Sequence, residues 1–313
     1  MSGAQQALAA ARPAVGNERR RPAWREHRRE HWREHLHGSE LTWAVAFVVP
    51  YAAVFLAFAL YPLAYGIWMG REPSLYAQLF SDPHYIATVI NTLLYVALGV
   101  NVTMFLALLL SGFFMRRRRW IKALLVIYIL PWALPAVPAF ISFHWMLIGE
   151  QGLVDGLLQA LFGIRGPIWF NHRGLALASN ITASVWKWLP FWTVVFLAGR
   201  SAIPREIYEA ADVDGATGPR RFVYVTVPLL ANIYLVCTLL ATLWALGEFN
   251  GVYFVSGGAP AKSTDVLATL AIRYAFDLAQ PELGVAAMLS ALPVLIPLVI
   301  ALMRTVRATE VQL

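Results

Sequence analysis

Two charged side chains stand inside long apolar stretches of this sequence, and they carry most of its chemical potential. Lys187 interrupts a hydrophobic run between Gly174 and Gly199, with Trp186, Trp188 and Trp192 around it. Glu248 is the sole charge between Phe222 and Ala261. A charge in hydrocarbon is costly, so such a residue reads by default as functional: a ligand contact, an ion-coupling group, or half of a buried pair. Both are surrounded by aromatic residues and few polar ones. That combination suits a sugar, whose C–H faces stack on rings while its hydroxyls take hydrogen bonds. Lys187, Trp188, Phe191, Trp244, Glu248 and Asn250 are therefore the candidate substrate-pathway residues. The competing readings are a structural Lys187–Glu248 ion pair and, for the tryptophans, the interfacial belts of a membrane protein.

Other chemistry is sparse, and the sequence predicts neither a catalytic residue nor a metal site. Residues Arg25–Leu36 repeat Arg-Glu-His-x three times, which on a helix aligns His27, His31 and His35 along one stripe. Histidines four apart share a face and suit a metal. A juxtamembrane helix laced with ion pairs, resting on headgroups through Trp24, Trp32 and Leu36, is the preferred reading. The single cysteine, Cys237, excludes an intrachain disulfide framework. None of the three lysines, Lys122, Lys187 and Lys262, follows a glycine, so the phosphate-loop pattern is absent.

One polar segment has a built look. Ile203-Pro-Arg-Glu-Ile-Tyr-Glu-Ala-Ala-Asp-Val-Asp-Gly-Ala216 reads as a short helix. Pro204 sits at its start, and Glu206 and Glu209 lie early, where the helix dipole favours acids. Ala210 and Ala211 offer a smooth face. Gly215 supplies the positive φ that a helix C-terminus often needs, and Gly218-Pro219 closes the segment. Fixed between two apolar runs, such a helix is shaped for docking to a soluble partner.

The elements that must position these residues follow from composition. The 313 residues are 59% hydrophobic and 14% charged, with mean hydropathy +0.58. Soluble domains average about 45–50% apolar and about 25% charged, so a water-soluble enzyme is excluded. A membrane-crossing helix needs about 20 apolar residues, and six stretches qualify: about 41–70, 84–115, 123–149, 174–199, 222–256 and 283–303. The third holds Pro131, Pro135 and Pro138, which predicts a bend or an unwound turn. If the fifth runs unbroken to the Ser256-Gly257-Gly258 turn, Glu248 lies in its outer third, at a depth comparable to that of Lys187. Lys and Arg concentrate in residues 1–40, 116–122 and 200–221 and in the tail, whereas the alternate loops hold Arg71, Arg165, Arg173, Lys262 and Arg273. The positive-inside rule then places both termini, and the loop 200–221, in the cytoplasm. The net charge of +7 is assigned to topology and anionic lipid, not to nucleic acid. The first forty residues read as a basic cytoplasmic segment and not a cleaved signal peptide. The expected fold is all-α: a polytopic membrane protein with six transmembrane helices over 41–303, a short cytoplasmic coupling helix within 200–221, and a cytoplasmic tail over 304–313.

Glu209-Ala210-Ala211, then Asp214-Gly215-Ala216, then Val225-Thr226-Val227-Pro228 resemble the "EAA" loop of ABC importer permeases. That pattern has a Gly six residues after the Glu and a later Ile-x-Leu-Pro. The departures here are conservative, Val at the Ile and Leu positions. Ile203–Tyr208 and Val255-Ser-Gly-Gly-Ala-Pro260 with Ser263-Thr264 resemble the carbohydrate-uptake branch, of the maltose-type large-subunit kind. Ala259 replaces the last glycine of that branch's usual turn. The resemblance implies a bacterial inner-membrane permease subunit that is not itself an enzyme and holds no cofactor. ATP and Mg²⁺ would be bound by two ATPase subunits docked on 203–218, with Glu209, Ala210, Ala211, Asp214, Gly215 and Ala216 as the coupling residues. A second permease subunit, forming a heterodimer, and an extracytoplasmic solute-binding protein would complete the system. By the same alignment the stretches around Lys187 and Glu248 match the helices lining the sugar site. The solute would be a sugar, oligosaccharide or polyol. The alternatives are a non-sugar solute such as a glycerol phosphate, or an ion-coupled secondary transporter using Lys187 and Glu248. The latter leaves the Glu-Ala-Ala loop unexplained.

Overall fold

Hydrocarbon offers no partner to backbone N–H and C=O groups, so a chain of this hydropathy satisfies them within helices. The structure, a computed structural model, describes residues 42–116 and 118–310, and every regular element among them is helical. The basic N-terminal segment, with the Arg-Glu-His repeat and its metal-or-lipid question, lies outside the described residues.

Contacts divide the chain into two units, Met1–Tyr65 and Gly66–Leu313. The described part of the first is most of an apolar helix, α1 (Thr42–Met69), exposed along nearly its whole length. The second unit takes in the last turn of α1, then a short helix, α2 (Pro73–Ser81), and the long α3 (Tyr85–Phe114). Next come α4 (Arg119–Ala133), α5 (Ala136–Met146) and α6 (Leu153–Phe162), then α7 (Arg173–Ser201). The polar segment folds as α8 (Arg205–Val213) and leads into α9 (Pro219–Leu229) and α10 (Ala231–Leu246). A short turn, α11 (Asn250–Tyr253), precedes α12 (Leu267–Ile272) and α13 (Pro281–Thr305).

Four of these, α1, α3, α7 and α13, are long and apolar enough to cross a membrane alone. The pairs α4–α5 and α9–α10, bent by 97° and 71°, raise the number to six if each pair is one span. The α4–α5 bend falls within the proline-rich stretch, where missing N–H groups remove helical bonds. The fifth apolar stretch departs from its expected form. It bends at Leu230 and its helix stops at Leu246, ten residues before the expected limit of 256. Pro228 cannot donate in the first break, and Gly247 opens the second.

The core forms where α3 meets α7. The buried positions of α3, from Thr88 through Asn91, Tyr95, Gly99, Thr103, Ala107 and Ser111, recur at three and four residues and make one face. Small residues on it, and Ala176, Ser179 and Ala183 on α7, let the two backbones approach closely. Cys237 and Ala241 of α10 pack against Val100, Met104, Trp192 and Phe196 and complete this core. A second cluster joins Leu79 and Tyr85 to Leu267, Leu270 and Leu283, and there the Tyr274 hydroxyl donates to the Asp82 carboxylate.

Candidate functional site

A narrow cleft opens between α3, α7 and α10. Its apolar walls are the rings of Trp188, Trp192 and Trp244. Trp244 lies 5.8 Å from Trp188 and 5.4 Å from Trp192, ring centre to ring centre. It remains 48% exposed, as the wall of an open cleft would. The polar groups on the cleft are Tyr95, Thr103, Ser184 and Glu248. Phe191 does not line it. Its ring backs Trp244 at 5.7 Å and stacks on Trp132 at 5.4 Å, fixing the indole from behind.

Glu248 lies in the break after α10, outside any helix, and not in the outer third of an unbroken span. Its Oε1 accepts the backbone N–H of Gly251 at 2.9 Å, so the carboxylate caps the turn of α11. The Trp188 indole and the start of α11 at Asn250 lie close to the carboxylate. A Cβ added at Gly251 would stand 2.8 Å from the Tyr95 hydroxyl, so only glycine lets that hydroxyl come so close to the break. The Tyr95 hydroxyl is itself buried and has no hydrogen-bond partner among the described residues.

Lys187 is not on the cleft. It is 2% exposed, and its Nζ donates to the carbonyls of Pro131 at 2.8 Å, Trp132 at 3.1 Å and Leu134. Two of these carbonyls are orphaned by sequence. In a continuous helix Pro131 and Leu134 would accept from residues 135 and 138, and both are prolines without an N–H. The ammonium replaces the missing donors at the α4–α5 bend. Among the described residues no ion pair joins Lys187 to Glu248.

Tyr95, Thr103 and Ser184 were not among the sequence candidates. A signal existed: Tyr95 and Thr103 flank Gly99 at four-residue spacing, a polar stripe on an otherwise apolar helix. A second missed network fixes the turn after α11. Asn91 donates to the carbonyls of Ser263 and Asp265, at 2.7 and 2.9 Å, and accepts from Arg173 at 2.7 Å. Arg273 pairs with the buried Asp265 at 2.8 Å and donates to the Gly257 carbonyl. Burial pushes the Asp265 carboxyl up from its ordinary range, and the Arg273 guanidinium pulls it back.

The Glu-Ala-Ala segment is α8 and its C-terminal turn. Ala211 is buried, while Glu206, Glu209, Ala210 and Asp214 face outward and Val213 is 88% exposed. Gly215 adopts φ +77°, and its N–H meets the Asp212 carbonyl at 3.2 Å while that of Ala216 meets Ala211 at 2.8 Å. This pair of bonds is a Schellman ending, and the left-handed residue it requires is the glycine. Arg221 grips Asp212 through both carboxylate oxygens at 2.9 Å and ties the helix to α9.

Apolar helices broken around a small aromatic cleft, with an exposed amphipathic helix between two of them, define a helical membrane permease. The chain belongs to the family of binding-protein-dependent transport system inner membrane components, whose model matches residues 99–310. It is 38% identical over 195 residues to the sulfoquinovosyl glycerol transport system permease protein SmoG of Agrobacterium fabrum, with 62% of each chain covered. It is 28% identical over 240 residues to the trehalose/maltose transport system permease protein MalF of Thermococcus litoralis, covering 72% of this chain and 81% of that one. Its fold matches a chain of a bacterial ABC transporter involved in import of the acidic polysaccharide alginate. The TM-score is 0.74 at 21% identity, over 89% of this chain and 99% of the other.

Proposed function

We propose that this chain is the membrane-spanning subunit of an ATP-driven importer, and that a neutral sugar or polyol crosses it through the Trp188–Trp244–Glu248 cleft. The observation that carries this reading is the cleft's composition. Three indoles offer stacking faces, and hydroxyls with one carboxylate offer hydrogen bonds. The relatives named for sulfoquinovosyl glycerol and trehalose/maltose place sugar-bearing solutes in the family's range. A carboxylate on the cleft wall disfavours an anionic solute, so the neutral members of that range fit best. A binding protein delivers the solute from outside. A second permease subunit completes the translocation path, and two ATPase subunits, holding ATP and Mg²⁺, dock on residues 203–218. Closure of those ATPases rocks the spans between outward- and inward-facing states through α8.

Glu248→Gln keeps the shape of the side chain and one acceptor. The assembled complex is expected to persist while uptake falls about ten- to a hundredfold, the loss of one charge-assisted hydrogen bond. The measurement is uptake of a panel of neutral sugars and polyols alongside membrane abundance. Wild-type uptake in the variant would remove Glu248 from the site, and faster uptake of a sulfonated than of a neutral sugar would overturn the neutral-solute reading.

Orientation follows the charge distribution, with both termini and α8 in the cytoplasm. In a background lacking Cys237, a cysteine at Glu150, whose side chain is 87% exposed, should react with a membrane-impermeant thiol reagent in intact cells. Cysteines at Arg118 and Gly218 should not. Asp155 is unsuited to the outside position because it is buried and accepts from the Trp169 indole at 2.9 Å. Labelling at 118 from outside inverts the assignment.

A further inference from the structure

A second cavity, about 320 Å³, lies where the ends of α3 and α7 meet α8 and the start of α9. Arg200 and Arg221 are its charged groups, with Tyr208 and Thr226 supplying hydroxyls and Met115 and Phe222 the apolar wall. Arg221 is neutralised by Asp212. Arg200 has no carboxylate partner among the described residues. Its Nε is buried without a hydrogen bond, and its Nη2 makes only a long contact, 3.4 Å, to the Leu108 carbonyl. The guanidinium is nevertheless held in place. Its carbon sits 5.7 Å over the Phe222 ring, and its head occupies the notch left by Gly112, where a Cβ would collide with it. A fixed, partly buried cation with donors to spare, at the rim of an open cavity, is the arrangement that takes an oxyanion in a forked hydrogen bond.

We propose that this cavity binds a phosphate-bearing anion, supplied as the headgroup of an anionic phospholipid. Arg200 holds the phosphate, Tyr208 and Thr226 offer hydroxyls to the headgroup, and Met115 and Phe222 meet the first carbons of the acyl chains. The location favours a lipid source. The cavity lies at the ends of two spans, beside the basic run that begins at Arg116, where headgroups concentrate. A bound lipid would join α3, α7 and α8, and so set the stiffness of the Glu-Ala-Ala helix against the spans. The proposal does not depend on which solute crosses the aromatic cleft.

The test is thermal unfolding of the purified full-length chain in an uncharged detergent, followed by tryptophan fluorescence. The ligands are dihexanoyl phosphatidylglycerol, dihexanoyl phosphatidylcholine and inorganic phosphate. Phosphatidylglycerol should raise the midpoint saturably by several degrees, and phosphatidylcholine should not. Arg200→Gln should weaken the apparent affinity about tenfold or more. Gly112→Ala displaces the guanidinium from its notch without removing its charge, and should weaken affinity several-fold even if Arg200→Gln folds poorly. Arg304→Gln, near the end of α13 and off the cavity, should leave it unchanged. An equal shift with inorganic phosphate, lost in the Arg200 variant, would support the phosphate site and overturn the lipid as its source. Wild-type affinity in Arg200→Gln or Gly112→Ala, or an equal shift with phosphatidylcholine, would overturn the proposal and leave the cavity to a docking protein.

Discussion

Replacing Lys187 with Met is expected to leave little folded protein in the membrane. The ammonium serves three carbonyls at the α4–α5 bend, and two of them, Pro131 and Leu134, face prolines where a helical donor would stand. Each carbonyl stranded away from water costs about 1–3 kcal/mol. Three such losses take a large share of the stability of an ordinary domain, about 5–15 kcal/mol. The readout is membrane abundance with size-exclusion profile in detergent, and wild-type behaviour on both would sink the clamp assignment. Adding Glu248→Gln should not rescue the variant. A structural Lys187–Glu248 ion pair makes the opposite forecast, because double neutralisation would remove both stranded charges. The double variant therefore separates the two accounts directly.

Gly215→Val and Glu209→Lys are expected to abolish substrate-stimulated ATP hydrolysis by the assembled complex while sparing insertion and permease pairing. Gly215 holds φ +77° and donates to Asp212 in the Schellman ending of α8. A β-branched residue in that left-handed conformation costs on the order of 1–3 kcal/mol locally, enough to re-aim the end of a nine-residue helix. No neighbouring atom blocks a side chain there, so the effect is conformational and stays confined to α8. Glu209 is exposed and reverses its charge without disturbing any packing. Stimulation at the wild-type level in both variants would show that α8 is not where the ATPase docks.

Features governed by a few neighbouring residues were legible in the sequence. Apolar length marked the stretches that fold as long apolar helices or bent helix pairs, because a lipid environment forces backbone bonds to close locally. The prolines at 131, 135 and 138 announced the bend between α4 and α5, since a missing N–H is a property of the residue itself. Gly215 announced the end of α8 for the same kind of reason, a backbone angle that other residues adopt only under strain. The continuation of the fifth stretch to 256 was misread because apolar composition alone does not reveal where a helix stops. Phe249, Val252 and Phe254 are as apolar inside the turn as any helical residue, and what seats them there is long-range packing, Phe249 and Val252 beside Tyr95 and Phe254 beside Phe140.

What tertiary structure alone decided is which way each charge faces. Lys187 and Trp188 are adjacent in sequence, yet neighbours on a helix point about 100° apart. One turns to the α4–α5 bend and the other to the cleft. The partners that fix each choice lie 56 residues from Lys187, at Pro131, and in the short turn that Glu248 caps. The same holds for Arg200, seated in the notch of Gly112 on a helix some ninety residues earlier. The sequence by itself determined that two charges and a ring of aromatic residues would enter the membrane-spanning region. The packing of α3 against α7 and α10 determined that Glu248 would face a cavity and Lys187 a broken backbone, because helix rotation is set by long-range contacts that no local pattern encodes.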